Sequence, residues 1–463
     1  MSEETLSTKK KFLFGLSAIP DQLTYQAFGL YVFTFFFAVI GIPMPLMWIA
    51  YIVWGLWNML NDPLLGALSE RTKYKKLGKR RFYIIIAIIP LSLCMIFLFT
   101  VPMSIPYVYF ILIIIIFEFF YTLYSVNINA LFPEMFPTEE QRASTNIFIK
   151  GLTVLGIIFA SLPMVLLQPL VPLETSTPAE IASIPGNYIM AGILLGSITL
   201  ITALPFILRG IHEKEESRED FEKRPSFIES LKITLSNKTF VKFTLANLMI
   251  WTVFNTLIAI LPLYFVFVLG EEKTSSLIIT LSLVIALIIA ALVLPIHRKL
   301  IKKYGTRNAT MMTMALWIGL LFPYILLEGS GSLIFGVIIT ALNGFALSGC
   351  LMYVDILHGD VIDEDSIKFG VRRSASYYGV NALIHRFSTI LVITVIAFVF
   401  EGSGWSTYTP AAPETVVIGL KLIIFLFPAI ALAIGIMILR TFPLHGVTLA
   451  NMREELKKHP EIK

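Results

Sequence analysis

Lys75-Lys76-Leu77-Gly78-Lys79-Arg80 recurs 227 positions on as Lys302-Lys303-Tyr304-Gly305-Thr306-Arg307. Each copy follows a pair of long apolar stretches, and the interval is close to half of the 463 residues. Apolar windows of about 20 residues cross about 30 Å of hydrocarbon. Working outward from the two copies, such windows predict twelve spans: 12–40, 44–69, 82–101, 105–133, 144–167, 187–209, 239–269, 274–297, 309–328, 332–358, 375–400 and 416–440. The copies then occupy equivalent places, after span two and after span eight. The polar run His212-Glu213-Lys214-Glu215-Glu216-Ser217-Arg218-Glu219-Asp220 separates the spans six and six. The expected organisation is a first bundle over 1–211, a linker over 212–238, a second bundle over 239–445 and a tail over 446–463. Parallel repeats about an axis along the membrane normal are one established architecture of this kind. The predicted fold is therefore an all-α integral membrane protein of two six-helix bundles. A closed barrel, whose strands need only about ten residues, does not fit these lengths.

Composition agrees. Hydrophobic residues make up 56% of the chain and charged residues 14%, against about 25% charged in a soluble protein; mean hydropathy is +0.80. With both termini on the cytoplasmic side, almost all 36 Lys and Arg fall in cytoplasmic connections, and Lys273 is the exception among the outward ones, a positive-inside pattern. The net charge of +5 thus reports topology and implies no nucleic-acid partner. A multi-pass plasma-membrane protein surrounded by lipid, with no cleaved targeting segment and acting as a monomer, is expected. Cys94 and Cys350 lie in apolar segments and predict neither a disulfide nor a metal site. Pro90, Pro163, Pro205, Pro262 and Pro323 fall within spans, where neighbouring helices can satisfy the freed carbonyls.

Charge inside an apolar helix costs several kcal/mol, so it marks a polar cavity or a pair. On span one, Asp21 and Tyr25 are four apart; on span two, Asn58 and Asp62 are four apart; on span four, Glu118, Tyr121, Ser125 and Asn129 recur at three or four; on span eleven, Tyr378, Ala382 and Arg386 share a face. Residues at these intervals are neighbours on one helix surface. Counted from the cytoplasmic edge, Asp21 and Arg386 lie about 15 Å deep. Three ionisable groups with polar stripes on four spans predict a hydrated pathway; a buried ion pair of Asp21 or Asp62 with Arg386 is the structural alternative. No HExxH, no His cluster of metal spacing and no nucleophile with a partner base is present, which disfavours an enzyme, and a channel or receptor would leave the matched basic segments unexplained.

The stretch from Trp57 through Asn58, Asp62 and Pro63 to Gly66, followed by Lys75 to Arg81, resembles span two and its loop in the glycoside-pentoside-hexuronide:cation symporters, the melibiose-carrier branch of the major facilitator superfamily. Gly359 to Gly379, with Asp360, Asp363, Asp365, Arg372 and Arg373, is similar to that family's later cytoplasmic segment. Tyr121-Thr122 and Ala130 to Glu134 resemble its span-four signature.

The resemblance implies cation-coupled symport of a small solute, a sugar or glycoside, by alternating access, with no cofactor beyond the coupling ion. It assigns Asp62 and Asn58 to the cation site. The family usually has a second acid where Asn58 stands, and a single carboxylate suits one proton per cycle, so H⁺ is favoured over Na⁺. Asp21, Tyr25, Tyr121, Ser125, Asn129, Lys150, Tyr378 and Arg386 are the implied solute contacts. Among these, Ser125 replaces a family acid, Asn129 a Trp, and Arg386 a Lys whose point charge an Arg fork does not reproduce. Asn146 and Ile147 stand where an Arg often occurs, with Lys150 one turn on. Arg71, Lys75, Lys76, Gly78, Arg80, Asp360, Asp363, Arg372 and Arg373 are the expected cytoplasmic gating residues. A lysophospholipid carrier of the same superfamily, which shares an Asp-Pro motif on span two, is the alternative.

Overall fold

The computed structural model describes residues 7–71, 78–136, 138–167, 169–211, 227–270, 275–370 and 373–458, and every regular element among them is helical. The chain divides into two compact units: Met1–Lys223 with Trp405–Ala411, and Arg224–Gly404 with Ala412–Lys463.

The first unit opens with α1 (Thr8–Gly15) and α2 (Ala18–Ala27). Pro20 has no N–H for the Leu16 carbonyl, which takes the Ile19 N–H instead at 3.2 Å. The span then widens through the π-helical turns Phe28–Val32 and Phe35–Val39. After it come α3 (Met44–Arg71), α4 (Lys79–Phe97), α5 (Pro106–Met135), α6 (Glu139–Leu166) and α7 (Pro178–Pro205). The α7 helix begins well before the apolar window at 187 because Thr177 and Glu180 form a capping box, each satisfying a backbone donor of the other's end.

The second unit contains α8 (Phe227–Ser236), α9 (Lys238–Phe267), α10 (Ser275–Leu292), α11 (Leu294–Tyr304), α12 (Thr306–Leu321), α13 (Leu333–Phe369), α14 (Ser374–His385), α15 (Phe387–Gly402), α16 (Glu414–Lys421), α17 (Phe427–Arg440) and α18 (Gly446–Lys458). Asn237 caps α9, its Oδ1 accepting from the Thr239 and Phe240 amides. A Cβ at Gly344 on α13 would overlap the Ala286 carbonyl, so this glycine sets how closely α10 and α13 approach.

Among the described residues, ten helical stretches are long and apolar enough to cross a membrane, and one further pair, Leu281–Leu292 with Leu294–Tyr304, is bent by 47° at its break. The remaining expected span, 44–69, is the 28-residue helix α3. The paired basic segments share their backbone. Gly78 (φ 79°, ψ 156°) precedes α4 and Gly305 (φ 76°, ψ 158°) precedes α12, a conformation open to glycine and strained for other residues.

Four segments have more structure than the sequence reading gives them. The cytoplasmic segment that starts at Gly359 is helix as far as Phe369: Lys368 pairs with Glu364 one turn back at 2.7 Å, and Gly370 in the left-handed region ends α13. Likewise 298–304 is helix, and the tail is the helix α18, held by Arg453 donating to Asp360 at 2.9 Å. The segment 405–411, inside the range 239–445 read as the second bundle, groups with the first unit. Ser406 O accepts the Met44 N–H at 2.7 Å, and the Trp405 and Tyr408 rings meet Phe37 at 5.6 and 5.8 Å.

Candidate cation and solute site

In the first unit, α2 and α5 bring five of the expected solute residues together. The half-buried Asp21 carboxylate accepts from Gln22 Nε2 at 2.9 Å, and Ser125 and Tyr121 lie within hydrogen-bonding reach of it. Asn129 Nδ2 reaches Ser125 Oγ at 3.4 Å. The Tyr25 ring stacks on Tyr121 (5.2 Å between centroids, 27° between planes). The stack continues through Phe117, Phe28 and Trp54. Acid, hydroxyl, amide and aromatic face are therefore contiguous. Lys150 is exposed on α6.

The cation residues lie on α3. Trp54, Asn58, Asn61 and Leu65 are all buried and, at intervals of three and four, mark one inward face; Asp62 is half-buried at its border. That face packs on α5, where Glu118 is fully buried. Trp54 Nε1 donates to Glu118 Oε2 at 3.1 Å, Thr122 Oγ1 to Glu118 Oε1 at 3.2 Å, and Asn61 Nδ2 to the Glu118 carbonyl at 3.0 Å. Glu118 and Asn61 were absent from the expected site. Their signal was in the sequence, since Glu118 and Thr122 are four apart and Asn61 adjoins Asp62, but one helix alone does not show which face meets which.

Arg386 and Tyr378 belong to the second unit. Arg386 occupies the turn between α14 and α15. Next to it, His385 stacks on Trp251 at 4.8 Å. One turn earlier, Asn381 Oδ1 accepts from Thr244 Oγ1 at 2.9 Å and Asn247 Nδ2 at 3.1 Å. Tyr378 is exposed.

Of the residues expected to gate, Arg80, Asp360 and Arg373 form ion pairs inside their own units. Buried Arg80 reaches Glu134 at 3.2 Å and Ser69 at 2.9 Å. Arg373 grips Asp365 through two nitrogens, at 2.7 and 3.0 Å, a charge-assisted fork. Asp360 takes Arg453, and Asp363 is half-buried. Lys75, Lys76 and Arg372 lie outside the described residues, as does the Arg71 side chain.

Residues 13–446 match the family described as MFS/sugar transport protein. The chain is 21% identical over 472 residues to the sodium-dependent lysophosphatidylcholine symporter 1-A of Danio rerio, covering 96% of this chain and 87% of that protein. It is 22% identical over 393 residues to the lactose permease of Lactobacillus delbrueckii, covering 82% and 60%. A solved structure of the nucleoside transporter NupG superposes with a TM-score of 0.69 at 13% identity, covering 94% of this chain and all of that one. The fold is that of the major facilitator superfamily, whose members here are transporters and not enzymes, and the relatives support cation-coupled transport. The chain belongs to the MFS/sugar transport protein family.

Proposed function

We propose that this protein is a plasma-membrane symporter, with both termini cytoplasmic, that draws a small polar solute across the bilayer on a cation gradient by alternating access. The single observation that carries the solute reading is the surface built by Asp21, Ser125, Asn129 and the stacked Tyr25 and Tyr121. A carboxylate with neighbouring hydroxyl and amide groups suits sugar hydroxyls, and an aromatic face suits the apolar face of a sugar ring. Asp62, bordered by Asn58, is the coupling acid. A cation bound there favours solute binding, and by reciprocity the solute favours the cation by the same factor.

A second reading uses the same groups. A carboxylate beside stacked tyrosine rings also suits a quaternary ammonium, and the zebrafish relative is named for lysophosphatidylcholine. Uptake into proteoliposomes, with labelled sugars and lysophosphatidylcholine run in parallel under imposed H⁺ or Na⁺ gradients, separates the two. Gradient-dependent accumulation of a sugar supports the first reading. Accumulation of the lysolipid alone supports the second, and accumulation of neither sinks both.

A further inference from the structure

The repeated basic segment is used differently in its two copies. In the first, Arg80 is buried and paired with Glu134. In the second, its counterpart Arg307 bonds among the described residues to neutral acceptors, Asn308 Oδ1 and the carbonyls of Arg440 and Phe442. No Asp or Glu occurs between Lys273 and Glu328, so the surrounding chain brings no counter-charge. Just ahead of Arg307, helix α11 carries Arg298, Lys299, Lys302 and Lys303, and all four are exposed. The other side of α11 faces inward. His297, Leu300 and Ile301 are buried or half-buried, at the spacing of one helix face. His297 fixes this orientation: its buried ring sits against Gly349, where a Cβ would come within 2.5 Å of it, and its two nitrogens bond to the Tyr353 hydroxyl at 2.8 Å and the Phe345 carbonyl at 3.0 Å. The cations also follow directly on exposed apolar residues, Leu292, Leu294 and Ile296. The outward surface therefore passes from apolar to basic within about two helical turns. Tyr304, whose ring lies 5.1 Å from Lys303 Nζ, ends the helix with a side chain suited to a membrane interface.

We propose that the outward face of α11 is a binding site for anionic phospholipid of the cytoplasmic leaflet. Charge complementarity commits the face to that partner: four exposed cations, no acid in the segment, and an apolar border one turn away. A basic cluster on an amphipathic helix beside a span attracts lipids that carry net negative charge. Lys302 and Lys303 receive the phosphate, and the acyl chains lie along Leu292 and Ile296. Long cationic side chains suit this position, since their stems cover apolar surface while their charges stay at headgroup level. The word cytoplasmic rests on the orientation proposed above; the site itself does not depend on symport.

The test measures lipid binding to the purified full-length protein in neutral detergent, by native mass spectrometry and by the shift in unfolding temperature. No uptake is involved, so failure of the symport reading leaves the result standing. Phosphatidylglycerol is expected to bind and to stabilise the wild type, whereas phosphatidylcholine and inorganic phosphate at the same concentration do not. Added NaCl is expected to weaken the binding, because exposed charges are screened. Lys302→Gln with Lys303→Gln should lower the affinity for phosphatidylglycerol about twentyfold, at about fivefold per charge near a membrane surface. Lys302→Arg with Lys303→Arg should retain it. The matched pair Lys9→Gln with Lys10→Gln, in the N-terminal arm, is expected to leave affinity unchanged. Arg298→Gln with Lys299→Gln, on the same face of α11, serves as the second variant and should lose affinity as the first does; the unfolding temperature in phosphatidylcholine shows that each variant is folded. Equal binding of phosphatidylcholine, or stabilisation by inorganic phosphate that matches the lipid's, overturns the proposal. So does unchanged affinity in both α11 glutamine pairs, or an equal loss in the N-terminal pair, since the attraction would then belong to net charge and not to this face.

Discussion

The two units solve the problem of polar residues in an apolar bundle differently. The first unit carries its deep polarity as carboxylates: Asp21 beside Ser125 and Tyr121, Asp62 at the border of the α3 face, and Glu118 buried against that face. The second uses amides and an imidazole bonded to hydroxyls, to another amide and to a backbone carbonyl. Asn381 receives Thr244 and Asn247, Asn255 donates to Ser388 at 2.7 Å, and His297 is held by Tyr353 at 2.8 Å and the Phe345 carbonyl at 3.0 Å. Among the described residues, its buried carboxylates Asp360 and Asp365 sit far along α13, each with an arginine. A neutral network holds helices in register and has no charge to exchange. Carboxylates set among neutral donors can gain and lose a cation. The difference is the reason the ion coupling proposed above is sought in the first unit.

Breaking the contrast in the first unit is expected to have the larger effects. Asp21→Asn removes the charged acceptor and should weaken solute binding by about tenfold to a hundredfold, since a hydrogen bond to a charged group contributes about 1.5–3 kcal/mol. Binding of labelled solute to purified protein measures it, and unchanged affinity removes Asp21 from the solute surface. In the second unit, Asn381→Ala strands Thr244 and Asn247, which are buried, and should cost about 1–3 kcal/mol of stability. It is expected to lower the unfolding temperature and leave the cation dependence of uptake unchanged; a changed cation dependence would erase the distinction between the units.

Smaller effects are expected at the ends of the bundles. Arg453→Ala leaves Asp360 without its ion partner while Arg453 itself is half exposed. The expected result is faster proteolysis of α18, with solute affinity unchanged. The smallest effect concerns Glu328, whose carboxyl is held below the ordinary glutamate range by its hydrogen bond and charge interaction with Lys421 at 2.8 Å. A depressed carboxylate contributes stability above its unfolded value, near pH 4.3, and loses it as pH falls through the folded value. Glu328 is exposed, so Glu328→Gln should change the unfolding temperature little at pH 7 and flatten its acid limb below about pH 4.3.

The features readable from sequence are those that one segment displays by itself. The twelve apolar windows, the break between bundles and the repeated Lys-Lys-x-Gly segments all depend on local composition, and Gly78 and Gly305 share nearly one backbone conformation. Asp21, Tyr25, Tyr121, Ser125 and Asn129 were legible because each lies on a polar stripe at helical spacing. Features decided by packing between segments were hidden. The charged stretch from Asp360 to Lys368 reads as a loop by composition, yet it stays helical through its own Glu364–Lys368 pair and an ion pair to α18. Residues 405–411 show their partners Phe37 and Met44 only once folded. The relation of Glu118 to Asn61 and Trp54 requires two helices side by side, and no periodicity on either one reveals it.

The central claim, that carboxylates of the first unit couple cation to solute, is tested most directly by Asp62→Asn. The measurement compares gradient-driven uptake with solute counterflow in the same proteoliposomes. Loss of concentrative uptake with counterflow retained is the predicted result. Concentrative uptake that survives the substitution would contradict the account.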